Sequence, residues 1–93
     1  MALRLAYSSQ FKKDYKRIQK RGYELGELHA VLEQLSVEKP LEERFRDHAL
    51  TGRYRGFREC HVRPDWLLIY AVDRGRLVLT AIRTGSHADL FDE

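Results

Sequence analysis

Leu3, Leu5 and Tyr7 alternate with Arg4 and Ala6, the period of two expected of a strand with one face in a core. Ser8 or Ser9 then offers a hydroxyl to cap a helix in which Phe11, Tyr15 and Ile18 fall at i, i+4 and i+7, a single inward stripe. Gly22 marks the end of that helix. A second stripe runs through Leu25, Leu28, Val31 or Leu32, and Leu35, with Glu24, Glu27, Glu33 and Gln34 outside it. It must stop by Lys39, because Pro40 disfavours helical backbone in the residue before it. The two helices form a hairpin turning at 22–26, and their apolar stripes need a sheet to cover.

The pattern changes after Pro40. Residues 41–56 show no sustained period and contain Gly52 and Gly56, so they are expected to be mostly loop. Residues 57–62 read as extended, Arg63-Pro64-Asp65 supplies turn chemistry, and 66–72 is a continuous apolar strand. A strand without polar alternation is buried on both faces and therefore central. Asp73-Arg74-Gly75 is a hairpin turn, and 77–83 is the last strand. The predicted fold is α+β: an N-terminal strand, a two-helix hairpin, an antiparallel three-stranded meander in a twisted sheet with the helices on one face, and a short C-terminal turn. With 93 residues and no repeat or linker, the expectation is one domain over 1–93.

Composition adds limits. The longest apolar run, 66–72, is far short of the ~20 residues that cross a bilayer, so no membrane partner is expected. The N-terminus carries charge where a secretory signal needs an apolar segment, which points to the cytoplasm. The single cysteine, Cys60, forms no internal disulfide and fits a reducing compartment, with His61 the one neighbour able to activate it. The net charge of +3 permits an anionic partner without demanding one. Its distribution says more. Lys12, Lys13, Lys16, Arg17, Lys20 and Arg21 crowd the first helix against the single acid Asp14, either as a solvated face or as one that meets phosphates or an acidic partner.

Strand register gathers the chemistry-bearing residues. If Arg74-Gly75 is a two-residue turn, Arg83 faces Trp66; with one residue more it faces Asp65. A tight turn at Arg63-Pro64 pairs Val62 with Asp65 and His61 with Trp66. His61, Asp65, Trp66 and Arg83 then share one sheet end, and His87 lies close enough in sequence to fold over it. Taken singly, Asp65 reads as a turn former, Trp66 as core, Arg83 as an ion-pair partner of Asp65, and each histidine as packed. Together, two imidazoles, a carboxylate and a guanidinium are the parts for metal-free proton transfer at a phosphodiester. Ser86 followed by Asp89 resembles an acidic capping box, which puts His87 in the first turn of a short helix, where backbone N–H groups favour an anion. Leu90 and Phe91 should dock that segment. No HxxxH or CxxC spacing occurs, and no metal or other cofactor is expected.

Three blocks, RDHALTG over 46–52, GFRECHVRPDWLLIY over 56–70 and IRTGSHADLF over 82–91, resemble in order and spacing the YafQ family of toxins within the RelE/ParE superfamily of type II toxin–antitoxin pairs. Phe45 stands where that family more often has tyrosine, and Asp92 and Glu93 extend past its usual end. The resemblance implies a RelE-like fold and a small ribonuclease acting on mRNA in the 30S decoding site of the ribosome. It also implies an acidic cognate antitoxin carrying a DNA-binding dimerisation domain, with operator DNA reached only through the toxin–antitoxin complex. Positions matching the family's catalytic residues are His48, His61, Asp65 and His87, with supporting roles at Trp66, Arg83 and Phe91. In the chemistry this suggests, His87 is the general acid, Asp65 or His48 the general base, and His61 and Arg83 hold phosphate oxygens. Trp66 and Phe91 buttress the site or stack on a base, and Arg53, Arg55 and Arg58 suit RNA phosphates. The competing functions are a non-catalytic, gyrase-directed inhibitor on the same fold and an RNA-binding domain that has lost turnover.

Overall fold

The computed structural model describes residues 2–91. Asp92 and Glu93 lie outside the described residues. Strand β1 (Arg4–Tyr7) leads into helix α1 (Ser9–Lys20) through Ser8, whose hydroxyl accepts the Phe11 N–H at 2.9 Å and donates to the Ile82 carbonyl at 2.7 Å. One side chain therefore caps the helix and fastens it to a distant strand. Gly22, at φ 81°, turns the chain out of α1 in a conformation that favours glycine. Helix α2 (Leu25–Ser36) follows and ends before Pro40, as the stripe requires.

The remaining strands are β2 (His48–Ala49), β3 (Arg58–Arg63), β4 (Trp66–Asp73) and β5 (Val78–Gly85), and helix α3 (His87–Phe91) follows them. They form one five-stranded sheet in the order β1-β5-β4-β3-β2, with β1 parallel to β5 and the other pairs antiparallel. Strand β4 is internal and buried on both faces over 66–70, matching its apolar run.

The two faces have separate cores. On one, Phe11, Ile18, Leu28 and Leu32 of the helices cover Cys60, Val62, Trp66, Leu68 and Leu79. On the other, Leu67 and Ile69 meet Leu90, with Leu50, Tyr54, Phe57, Ile82 and Phe91 around them. Helices α1 and α2 thus share one face as predicted, while α3 and the 50–57 segment cover the other.

The 41–56 stretch is mostly irregular, as expected, holding only the two-residue β2 and two single 3-10 turns, Glu43–Phe45 and Gly52–Tyr54. Other details correct the sequence expectations. The β3–β4 turn centres on Pro64-Asp65, not Arg63-Pro64, so Arg63 pairs with Trp66, and a register shift at Val62 then sets His61 opposite Leu67. Proline favours the first central position of a turn and is disfavoured at the second, where the other register put it. The β4–β5 loop spans 74–77 instead of two residues, with the Asp73 carboxylate accepting the Arg76 N–H at 3.1 Å. A bulge then leaves Ile82 unpaired between Tyr70↔Ala81 and Ile69↔Arg83. Arg83 faces Ile69, neither Trp66 nor Asp65, and β5 runs to Gly85, beyond the predicted 77–83.

Candidate active site

On β3, residues two apart share a face, so Glu59 and His61 both point to the side away from α1 and α2. The short strand β2 places His48 directly opposite Glu59. Asp47 pins this strand: it accepts the Tyr70 hydroxyl at 2.5 Å and Arg58 Nε at 3.3 Å. Burial, and then the bond to Asp47, push the Tyr70 phenol well above its ordinary range, so it stays a donor.

Each ring on this edge has a fixed orientation. His48 Nδ1 lies 2.5 Å from the Arg46 carbonyl and His61 Nδ1 lies 3.2 Å from the Pro64 carbonyl. A carbonyl only accepts, so Nδ1 carries the proton in both rings and Nε2 is the basic atom of the neutral form. Both Nε2 atoms turn toward Glu59 Oε1, at 3.5 Å from His48 and 3.6 Å from His61. Glu59 is 5% exposed, and its Oε2 is buried without a hydrogen-bond partner. Sequence reasoning missed this carboxylate, although its spacing of two from His61 on a strand was the available signal.

At the other side, Ser86 and Asp89 form the predicted reciprocal cap: Asp89 Oδ2 accepts the Ser86 N–H at 2.9 Å, and Ser86 Oγ accepts the Asp89 N–H at 3.1 Å. Arg21 grips Asp89 with Nη1 at 2.7 Å and Nη2 at 3.0 Å. These guanidinium bonds hold the Asp89 carboxyl well below the usual carboxylate range. Helix α3 therefore starts at His87, as the cap predicts. Asp65 Oδ1 accepts the His87 N–H at 2.9 Å and lies 2.6 Å from His87 Nδ1. The backbone bond first, and the ring second, lower the Asp65 carboxyl from its ordinary value. Asp65 is thus a carboxylate committed to His87, whose Nε2 remains available.

Gly85 makes this approach possible. Its φ is 148°, and a Cβ there would lie 2.8 Å from Asp89 Oδ2. Gly85→Ala is expected to break the Asp89 cap and shift His87, measured by the loss of amide protection at Ser86 and Asp89 in hydrogen exchange and a lower urea unfolding midpoint.

The rings form an arc. Centroids are 6.4 Å apart for His48 and His61, 5.8 Å for His61 and His87, and 6.5 Å for His87 and Phe91, and Tyr54 meets Phe91 at 5.8 Å. Arg83 ends the arc, with Nη1 3.5 Å from the Tyr54 hydroxyl and its other nitrogens on Asp14. The candidate Arg83–Asp65 ion pair is not formed. Trp66 lies on the opposite face, 3% exposed, with its indole N–H donating to Thr84 Oγ1 at 3.0 Å and its ring against Tyr23. Arg58 is held by Asp47 outside the arc. Arg53 donates to the Leu90 carbonyl at 3.1 Å and lies over the Tyr54 ring, and Arg55 is exposed nearby. Cys60 faces the helical core, where burial pushes its thiol far up, so it is not an activated nucleophile. Among the described residues, no three His, Cys, Asp or Glu side chains come together to hold a metal ion. None of their helices is long and apolar enough to cross a membrane.

A family profile described as a bacterial toxin of type II toxin–antitoxin system, YafQ, matches residues 3–92. The chain belongs to the YafQ family. An mRNA interferase toxin YafQ of Escherichia coli K12 is 40% identical to this YafQ-family toxin over 88 residues, 94% of each chain. The crystal structure of YafQ from E. coli BL21(DE3) superposes with a TM-score of 0.87 at 39% identity, covering 94% of this chain and 96% of that one. The toxin in the E. coli DinJ–YafQ toxin–antitoxin complex superposes with a TM-score of 0.87 at 38% identity, covering 98% and 99%. This chain is therefore a YafQ-family toxin of the type II class, with the α+β fold of its solved relatives.

Proposed function

We propose that this toxin is an endoribonuclease that cuts mRNA on the ribosome in the cytoplasm, without a metal, using the RNA's own 2′-hydroxyl as nucleophile. The observation that carries the reading is the His87–Asp65 pair. A carboxylate on Nδ1 fixes the ring and turns Nε2 outward, placed to pass a proton to a leaving group. Attack forms the 2′-O–P bond and breaks the P–O5′ bond. The 2′-hydroxyl proton passes to a base, and the His87 proton passes to the departing 5′-oxygen. Since Asp65 is engaged by His87, His48 Nε2 is the better general base. Glu59 beside it balances the charge that His48 gains. Arg83, and His61 once its Nε2 carries a second proton, hold the non-bridging oxygens, where charge grows in the transition state. Phe91 and Tyr54 offer ring faces to a base, whereas buried Trp66 supports the site from below.

The test is single-turnover cleavage on a programmed ribosome, with both new ends characterised. The expected products are a 2′,3′-cyclic phosphate, or the 3′-phosphate from its hydrolysis, beside a 5′-hydroxyl. A 5′-phosphate end, or cutting of free mRNA at the ribosomal rate, overturns the scheme. The exposed lysines of α1, with Arg55, suit ribosomal RNA phosphates. Cleavage is therefore expected to fall steeply as salt rises, with a linear log–log slope in a titration of rate against ionic strength.

The partner is an acidic antitoxin that brings a DNA-binding dimer, so operator contact belongs to the complex. Its chemistry suits a groove of about 540 Å³ between α1 and α2, lined by Tyr7, Phe11, Tyr15 and Leu32 with Lys12 and Lys16 beside them. Among the described residues these two lysines pair with no carboxylate, so an amphipathic acidic segment that folds as it binds meets both apolar and charged needs. Lys12→Glu with Lys16→Glu is expected to weaken antitoxin binding in calorimetry, and unchanged affinity places the antitoxin elsewhere.

A further inference from the structure

The sequence sets Asp14 alone among the cations of α1, on the surface that the helix pattern assigns to solvent. Its side chain instead has no exposed surface. Oδ2 accepts from Arg83 Nε at 2.8 Å and from the Thr84 N–H at 3.2 Å. Oδ1 accepts from Arg17 Nη2 at 2.8 Å, Gln10 Nε2 at 3.0 Å and Arg83 Nη2 at 3.2 Å. A carboxylate this deep is held by the donors that converge on it. Two of those bonds engage one edge of the Arg83 guanidinium, the planar two-point geometry that fixes an arginine's orientation.

The pairing has a direction. With Nε and Nη2 on Asp14, the remaining corner, Nη1, points to the Tyr54 hydroxyl at the end of the ring arc. A free arginine samples many rotamers, and its charge is spread over all of them. Arg83 is held to one.

We propose that Asp14 is a positioning residue for RNA cleavage, clamping Arg83 so that its free guanidinium corner is presented to a phosphate oxygen of the bound RNA. This rests on the reading above in which Arg83 contacts the RNA. Asp14 touches no reacting atom and acts only through Arg83. Losing the clamp leaves the charge and misplaces it, and a displacement on the order of 1 Å at a reacting centre costs about a hundredfold in rate.

The clamp also fastens β5 through Thr84, so a slow Asp14 variant alone does not separate positioning from folding. Chemical rescue separates them. Single-turnover cleavage is measured on a programmed ribosome for Arg83→Ala and for Asp14→Asn with Arg83→Ala, each with and without millimolar guanidinium chloride, the wild type controlling for effects on the ribosome. The expected result is that guanidinium restores Arg83→Ala about tenfold or more, because Asp14 still binds the ion in place. The double variant should show no rescue. Asp14→Asn alone should lower the rate at saturating ribosome more than the apparent affinity, and adding it to Arg83→Ala should slow cleavage no further. Equal rescue of both variants, or losses that multiply, overturns the proposal. If Asp14→Asn does not fold, the double variant removes both charges of the pair and the rescue comparison still decides. If Arg83→Ala cuts at the wild-type rate, the Arg83–RNA contact fails and takes this inference with it, while the His87–Asp65 chemistry keeps its own test.

Discussion

Replacing His87 by alanine is expected to slow single-turnover cleavage by about 10²–10⁴-fold, the range for loss of a general acid. The fold should survive, because the imidazole is half-exposed and the bond that seats α3 on Asp65 comes from the His87 backbone. Leu90 stays buried and the Ser86–Asp89 cap stays intact, so urea unfolding should hardly move. Asp65→Ala should produce a loss of similar kind, since it frees the ring and removes the anchor of the His87 N–H. The double variant should be little slower than His87→Ala, because the two groups act as one unit. Full activity in His87→Ala would remove the assigned acid, and multiplicative losses would mean that Asp65 has a separate task.

Trp66→Ala is expected to cost about 3–5 kcal/mol of stability, the usual penalty for emptying a large aromatic site. With a total near 5–15 kcal/mol for a natural domain, that is a large share. Trp66 begins β4 in the helical core, against Tyr23, and its indole N–H is satisfied by Thr84 Oγ1. Thr84 in turn donates to the Leu67 carbonyl, tying β5 to β4 beside the turn that carries Asp65. Trp66→Phe should recover most of the loss while giving up the Thr84 bond, worth about 1 kcal/mol. Equilibrium urea unfolding with cleavage assayed in parallel separates the two roles. A stable Trp66→Ala protein that binds RNA poorly would make the residue a base platform and contradict its burial.

The helices and the central strand were legible in the sequence because periodicity and caps are local. Ser8, Gly22 and the Ser86–Asp89 pair did what their positions predict, and 66–72 was placed at the sheet centre by its lack of polar residues. The candidate site was legible as a set of residue types and, through the family resemblance, as the positions His48, His61, Asp65 and His87, which the fold brings near one another. Its geometry was not. A bulge at Ile82 and a longer 74–77 loop moved Arg83 away from Asp65, and neither leaves a local mark strong enough to count strand partners by. The two hidden carboxylates show the same limit. Asp14 looked like one charge on a polar helix face, and Glu59 like an ordinary polar strand residue. Asp14 is buried under Arg83 and Thr84 from the far end of the chain as well as Gln10 and Arg17 of its own helix, and Glu59 is covered by His48 on a neighbouring strand.

Helix α1 sits on the far side of the sheet from the imidazoles, yet Asp14 within it holds Arg83 at one end of the arc and Arg21 at its C-cap holds the Asp89 carboxylate that caps α3 beside His87. The seating of one surface helix therefore sets how well a distant site is arranged for turnover. A binder that favours a displaced α1 would silence the nuclease without covering it, slowing the chemical step more than it weakens the hold on RNA.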